Sequence, residues 1–181
     1  MKAPTQIETA RLILIKPQPS DATSIFERYS SDPDVTRFLS WPRHQSIADT
    51  EAFLRFSAQE WESWPAGPYL VRSRDGQLLG STGFSFETPH QAMTGYVLAK
   101  DAWGNGYATE VLGGITDTAR DVGVTRLYAL CHPAHRASQR VLEKAGFTRE
   151  ANRQAEFPNL APGVQQDVLC YAITLGATFA G

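Results

Sequence analysis

Three groups of residues in this sequence have types and spacings that could do chemistry. The first is Trp103-Gly104-Asn105-Gly106-Tyr107-Ala108-Thr109, a Gly-x-Gly turn ahead of Val111, Leu112, Ile115, Ala119 and Val122, which recur at helical intervals until Gly123. Such a turn makes an anion site, because glycines let the backbone approach closely and the unpaired amides at a helix start point at the ligand. Spacing selects the anion. A dinucleotide fingerprint requires Gly or Ala three residues after Gly106, where Thr109 stands, and an acidic residue after the next strand, where Cys131-His132-Pro133 stands. A Walker loop requires Gly-Lys followed by Ser or Thr, which this loop lacks. What remains is phosphate held by backbone amides, or a plain tight turn before a helix.

The second group is Ser138, Arg140 and Lys144, on a helical pattern from Ser138 to Ala145 that Gly146 ends. The Ser138 hydroxyl can donate a proton or cap the helix; Arg140 and Lys144 can flank a polyanion or form a solvated face. The third is Glu87, a carboxylate at the end of an apolar run and a candidate general base, directly or through water. His90 and His135 are alternatives, and Glu110, in the first turn after the glycines, reads as support for the loop.

The elements that must position these groups follow from periodicity. Leu12 to Ile15 is a short strand, and Ser20 opens a helix to about Tyr29 that Ser31-Asp32-Pro33 stops. Ser46-Ile47-Ala48-Asp49 matches a capping box and opens a second helix to about Ser63, with Phe53, Phe56 and Trp61 as its core stripe. Tyr69 to Arg74 and Leu78 to Phe86 are strands joined across Asp75-Gly76. Thr94 to Ala99 is the next strand, Arg126 to Cys131 follows the glycine-loop helix, and Phe147 onward and Asp167 to Leu175 close the sheet. The result is a single α+β (α/β) domain over residues 1–181, with a mostly antiparallel meander leading into one βαβα passage. Its structured core is expected over about 8–175, and a loose tail over 176–181.

The 181 residues, 42% hydrophobic and 20% charged, suit one soluble domain. A net charge of −2 excludes bulk attraction to nucleic acid or anionic membrane, and no run approaches the ~20 apolar residues of a membrane span. The polar N-terminus lacks a signal peptide's apolar core. Cys131 and Cys170 sit in apolar strands and read as buried thiols in a reducing cytoplasm; the four scattered histidines do not form a metal motif.

Gly95-Tyr96-Val97-Leu98, the loop from Trp103 to Glu110, and Ser138-Gln139-Arg140-Val141-Leu142-Glu143-Lys144-Ala145-Gly146-Phe147 together resemble the GCN5-related N-acetyltransferases (GNAT). Glu8-Thr9-Ala10-Arg11-Leu12-Ile13-Leu14 and Ser31-Asp32-Pro33-Asp34-Val35-Thr36 are similar to the RimJ/RimL-like branch, which acetylates ribosomal-protein N-termini. The resemblance covers about residues 8–175. It implies a sheet splayed between its fourth and fifth strands, acetyl-CoA in that opening, a cytoplasmic enzyme, and a homodimer as the expected oligomer. It also implies a protein N-terminus or a small amine as partner, with no direct nucleic-acid or membrane partner. Gly104, Asn105, Gly106, Tyr107, Ala108 and Thr109 would hold the pyrophosphate, Val97 and Leu98 would pair with pantetheine, and His135, Ser138 and Arg140 would flank the cofactor. Trp103 replaces the family's common Arg or Gln, His135 stands where the last motif usually begins with Asn, and Leu142 stands where other branches carry a Tyr general acid.

Acetyl transfer needs a neutral amine, a polarised thioester and a leaving thiolate; a thiol of pKa about 8.5 needs little acid help, and Ser138 resembles the hydroxyl proposed for it. An α-amine of pKa about 8 is roughly a tenth neutral at pH 7, and a lysine amine far less. The reading is an acetyl-CoA-dependent N-acetyltransferase acting on a primary amine, a protein α-amine or a small amine, with an antibiotic or polyamine acetyltransferase and a non-catalytic acyl-CoA-binding protein as alternatives. Charge is divided: Val124 to Arg149 holds five basic residues and one acidic, and Ser20 to Glu62 eight acidic and four basic. This suggests a cationic donor side and an acidic acceptor side.

Overall fold

The computed structural model describes residues 1–176; of the tail expected at 176–181, residues 177–181 lie outside the described residues. Strands β1 (Gln6–Glu8), β2 (Leu12–Ile15), β3 (Tyr69–Ser73), β4 (Leu78–Thr88) and β5 (Gln91–Leu98) form an antiparallel meander. Helix α4 (Tyr107–Asp121) then carries the chain across the sheet to β6 (Arg126–Cys131), which runs parallel to β5. Helix α5 (Arg136–Lys144), β7 (Thr148–Arg149), β8 (Arg153–Glu156) and β9 (Gln165–Thr174) complete the chain, in the sheet order β1-β2-β3-β4-β5-β6-β9-β7 with β8 paired to β9.

The central strands are apolar on both faces because both are covered. On one face Leu12, Leu14, Tyr69 and Val71 pack beneath α4, whose Val111, Leu112 and Ile115 are fully buried. On the other, Leu70, Leu78 and Val97 meet Ile25, Val35 and Leu54 from the N-terminal helices α1 (Ala22–Ile25), α2 (Pro33–Thr36) and α3 (Ile47–Ser63). Between α1 and α2 the chain widens to a π turn over Phe26–Ser30. No helix among the described residues is long and apolar enough to cross a membrane.

One feature of the sheet positions the site. Only Gln91–Arg126, Ala92–Leu127 and Met93–Tyr128 pair across β5 and β6. Beyond them β5 stays with β4 and β6 stays with β9, so the two strands part and leave a wedge. The sheet is therefore splayed as the resemblance implies. The parting strands are the fifth and sixth, because the half-exposed segment Gln6–Glu8 adds an edge strand that has no apolar run to announce it.

Three local expectations change. The helix near Ser20 is not opened by that residue; the Asp21 carboxylate accepts from the Gln18 N–H at 2.7 Å instead. On α3 the buried stripe is Thr50, Leu54, Ser57 and Trp61, spaced four, three and four residues apart, which leaves Phe56 off it and 48% exposed. Helix α5 begins at Arg136 with His135 as its N-cap, so Ser138 does not cap it.

Candidate active site

The wedge opens on two cavities that meet at β5. The larger, about 600 Å³, lies between the end of β5, the glycine loop and α5. Val97, Leu98, Gly104, Gly106, Tyr107, Ala108, Thr109, His135, Ser138 and Arg140 all line it. Asn105 does not: its amide donates back to the Ala102 and Trp103 carbonyls at 3.2 and 3.1 Å. Gly104 and Gly106 have φ of +76° and +75°, and Gly106 is the N-cap of α4. A Cβ at Gly104 would meet no protein atom within 4 Å, and one at Gly106 only an Arg11 nitrogen at 3.5 Å. The glycines thus serve left-handed backbone and leave the cavity side of the loop open, rather than packing against the protein.

The loop is clamped from the other end of the chain. The Glu110 carboxylate accepts from the Thr9 hydroxyl at 2.5 Å, and from the Arg11 backbone N–H and Nε at 2.7 Å each. Arg11 Nη1 donates to the Asn105 carbonyl at 2.8 Å, and its guanidinium lies 4.7 Å from the Tyr107 ring centroid. Burial works to raise the Glu110 carboxyl, but these hydrogen bonds and the Arg11 charge outweigh it and hold the group below the ordinary carboxylate range. Glu110 therefore supports the loop, and Arg11, unassigned from sequence, is its partner.

The donor cavity fits acetyl-CoA. Amides at the start of a fifteen-residue helix, with Arg37, Lys100, Arg140 and Lys144 around them, match a polyphosphate. The edge of β5 freed by the wedge can pair with an extended amide chain. Trp103 departs from the family pattern with a definite consequence, since its Nε1 donates to the Leu98 carbonyl at 2.8 Å and takes that acceptor.

The smaller cavity, about 260 Å³, is walled by rings: Phe38, Trp41, Phe53, Phe84, His132 and Phe157. Its walls are pinned together by Asn159, whose amide donates to the Thr36 and Trp41 carbonyls at 2.8 and 2.9 Å while its oxygen accepts from the Arg43 N–H at 2.7 Å. Six residues line both cavities: Phe38, Leu39, Tyr96, Val97, His135 and Ser138. At this junction the Tyr96 and Ser138 hydroxyls are 2.8 Å apart. Burial pushes the Tyr96 phenol well up, only partly offset by the hydrogen bond with Ser138, so the pair keeps its protons and can donate. Burial, helped by His132, lowers the His135 imidazole and favours its neutral form; its ring stacks on Phe38 at 4.8 Å. Tyr96 and Ser138 were both visible in the sequence as parts of motifs, but their pairing was not.

Glu87 is a correction. It sits beside the β4–β5 turn, where Phe86 faces Ala92 and Thr88 faces Gln91, at the closed end of the wedge. Tyr96 lies four residues beyond Ala92 along β5, about 13 Å at strand rise. The carboxylate lines neither cavity, and hydrogen bonds from the Tyr128 hydroxyl and the Gln91 amide hold it below its ordinary range. His90, whose ring nitrogen approaches the Gly123 carbonyl at 3.0 Å, is at the same end. Of the three candidate bases only His135 reaches the junction.

The expected acidic acceptor wall is also absent from the lining. Asp21 pairs with Arg72, Asp32 caps α2, Asp49 caps α3, and Asp34 pairs with Lys100 beside the donor cavity. Among the described residues no group of three or more His, Cys, Asp or Glu could hold a metal.

Comparison with known proteins agrees with this geometry. Residues 11–148 match the family model described as an acetyltransferase (GNAT) domain. The chain is 30% identical to the uncharacterized N-acetyltransferase YoaA of Bacillus subtilis, over 92% of this chain and 95% of that protein. Among solved structures it superposes on the Salmonella typhimurium acetyl transferase that modifies the N-terminal serine of ribosomal protein L7/L12, with TM-score 0.81 at 22% identity, covering 94% of this chain and 99% of that one. It also superposes on the microcin C7 self-immunity acetyltransferase MccE in complex with acetyl-CoA and AMP, with TM-score 0.81 at 20% identity, covering 92% and 93%. A glycine-loop donor cavity in a splayed sheet, matched over most of its length by the family model, makes this chain an acyltransferase of the GNAT acetyltransferase family.

Proposed function

We propose that the protein uses acetyl-CoA to acetylate a primary amine by direct transfer at the junction of its two cavities. The observation that carries this is the set of six residues common to both, with a hydroxyl pair and a neutral imidazole among them. Acetyl-CoA, when bound, supplies the acetyl group on a thioester. The loop amides and the surrounding cations orient its phosphates, and the free edge of β5 orients its pantetheine arm; Val97 turns its amide toward β4, so the Leu98 backbone N–H, on the free edge, is the one available to polarise the thioester carbonyl.

The amine arrives from the ring-lined cavity. Its nitrogen attacks the carbonyl carbon, the new C–N bond replaces the C–S bond, and the nitrogen sheds one proton. Neutral His135 can accept that proton, and Ser138, hydrogen-bonded to Tyr96, can donate a hydrogen bond to the departing thiolate, which leaves as such or takes a proton from solvent. A thiolate of pKa about 8.5 leaves readily, so the hydroxyl pair assists rather than drives the step. Arg140 and Lys144 flank the donor. The two structural neighbours act, by their descriptions, on a ribosomal-protein N-terminus and in microcin self-immunity, so an α-amine and a small-molecule amine both fit the fold.

The test is free-thiol release from acetyl-CoA with mass spectrometry of the amine. Thiol release in step with an N-acetylated product is the expected result. Acetyl-CoA binding without acetylation of any amine class would overturn the proposal and leave a non-catalytic binder.

A further inference from the structure

Resting on the proposal that transfer occurs at the shared junction, we infer that the acceptor carries its amine on an aromatic or apolar group, and that this group, not a second cation, is what the acceptor cavity recognises. The walls supply the first reason. Phe38, Trp41, Phe84, His132 and Phe157 surround the space, and no carboxylate is among the described residues lining it. A polyamine or an aminoglycoside would bring several ammonium groups to a surface with no counterion, and burying an unpaired charge is strongly unfavourable.

An aromatic cage can hold one cation against ring faces, but Phe38, the ring at the junction, already carries one, the Arg37 guanidinium 5.1 Å from its centroid. Phe38 stacks on both His132 and His135, at 5.1 and 4.8 Å. Phe157 meets His132 edge-on at 4.8 Å, and Trp41 leans on His44 at 5.1 Å. What these rings offer a ligand is apolar edge and van der Waals surface.

The second reason is chemical. The nucleophile must be a neutral amine, and a carboxylate in the cavity would hold it as ammonium. Apolar burial lowers an amine's pKa and so favours the reactive form. Without a carboxylate, selectivity rests on the group attached to the amine.

The third reason is size. About 260 Å³ is below the roughly 300–1,000 Å³ of sites for drug-sized ligands, which suits one ring-sized group inside, with the rest of a longer acceptor lying outside the cavity. Gly95 sits in the middle of this wall. Its backbone is not in the left-handed region, and a Cβ built on it meets nothing within 4 Å, so the open space there belongs to the cavity and not to the fold.

An aryl group near an amine could belong to a free arylalkylamine or to a peptide whose first residue is aromatic, and the test separates them. At saturating acetyl-CoA, kcat/KM is measured for tryptamine, a Phe-first tetrapeptide, the matching Ser-first tetrapeptide, spermidine and kanamycin. We expect tryptamine or the Phe-first peptide to exceed spermidine and kanamycin by about a hundredfold, and whichever of the two leads identifies the source. A Ser-first peptide, spermidine or kanamycin equal to or better than both aryl acceptors would overturn this inference while leaving amine acetylation standing. Acetyl-CoA binding by calorimetry with no product from any acceptor would overturn the proposed function and this inference with it.

Two variants guard against a misleading loss of fold. Gly95→Leu fills the cavity from a position with room for a side chain; we expect the aryl acceptor's KM to rise about tenfold or more with the acetyl-CoA Kd unchanged. Ser85→Asp adds a carboxylate to the lining and should narrow the gap between spermidine and tryptamine about tenfold. An unchanged KM in the first, or an unchanged preference in the second, would count against the assignment.

Discussion

The donor cavity takes half of its lining from one stretch, residues 96–109, and the rest from α5 with its N-cap and from residues 34–39, whereas the acceptor cavity gathers side chains scattered from Phe38 to Phe157. The first is backbone chemistry: left-handed glycines, helix amides and a strand edge, all local consequences of sequence. The second is side-chain chemistry, assembled only when the fold brings distant segments together and held by one amide, Asn159. A transferase needs both, and they tolerate change differently. On the proposed function, donor recognition should depend on a few glycine positions with left-handed backbone, and acceptor recognition on many positions where most changes are graded.

The largest effect should come from the donor side. Gly106→Glu puts a side chain at φ +75° and a negative charge in the phosphate cradle, so acetyl-CoA affinity by calorimetry should fall about a hundredfold or more. Retained binding would remove the loop from the account. At the junction, Ser138→Ala and Tyr96→Phe should each lower kcat about ten- to a hundredfold, with the acetyl-CoA Kd nearly unchanged, because they remove a positioned hydrogen-bond donor rather than a binding contact. An unchanged kcat for both would show that the thiolate leaves unaided.

On the acceptor side, Asn159→Ala should raise acceptor KM about five- to tenfold with the donor Kd unaltered, since it unpins Phe157 from the Phe38–Trp41 segment. Equal losses on both sides would erase the contrast between the cavities.

The smallest effect is on stability. Glu110 is held ionised in the folded protein, its pKa lowered from an ordinary 4.5. A depressed carboxyl contributes stability above its unfolded pKa and loses it as pH falls through the folded one. Glu110→Gln should therefore lower Tm by a few degrees, about 2–4 °C, at pH 7, and the difference should shrink below about pH 4.5. A pH-independent difference would mean the ion pair with half-exposed Arg11 contributes nothing beyond its hydrogen bonds.

This division also explains what could be read from sequence. The glycine loop, the hairpin at Asp75-Gly76 and the capping box at Ser46 are local patterns, and they stand where the spacing puts them. Arg11 was legible only as part of a motif; its clasp on Glu110 joins residues 99 apart in sequence. Glu87 was misread because a carboxylate at a strand end looks the same at either end of a splayed sheet; only the pairing of Gln91 with Arg126 shows which end is closed. Phe157 and Asn159 follow a polar hairpin strand, Arg153–Glu156, that carries no apolar alternation, so nothing near them marks a cavity wall. The acidic count between Ser20 and Glu62 was real, but its four aspartates go to helix caps and ion pairs, and none of the segment's carboxylates lines the ring-lined cavity.

The central claim is that donor and acceptor cavities meet at the Tyr96–Ser138 pair. A crystal structure with bound coenzyme A tests it most directly. The phosphates should lie on the amides of residues 104–109 and the terminal sulfur within about 4 Å of the Ser138 hydroxyl, facing the ring-lined cavity. A sulfur directed away from that cavity, or phosphates bound elsewhere, would contradict it.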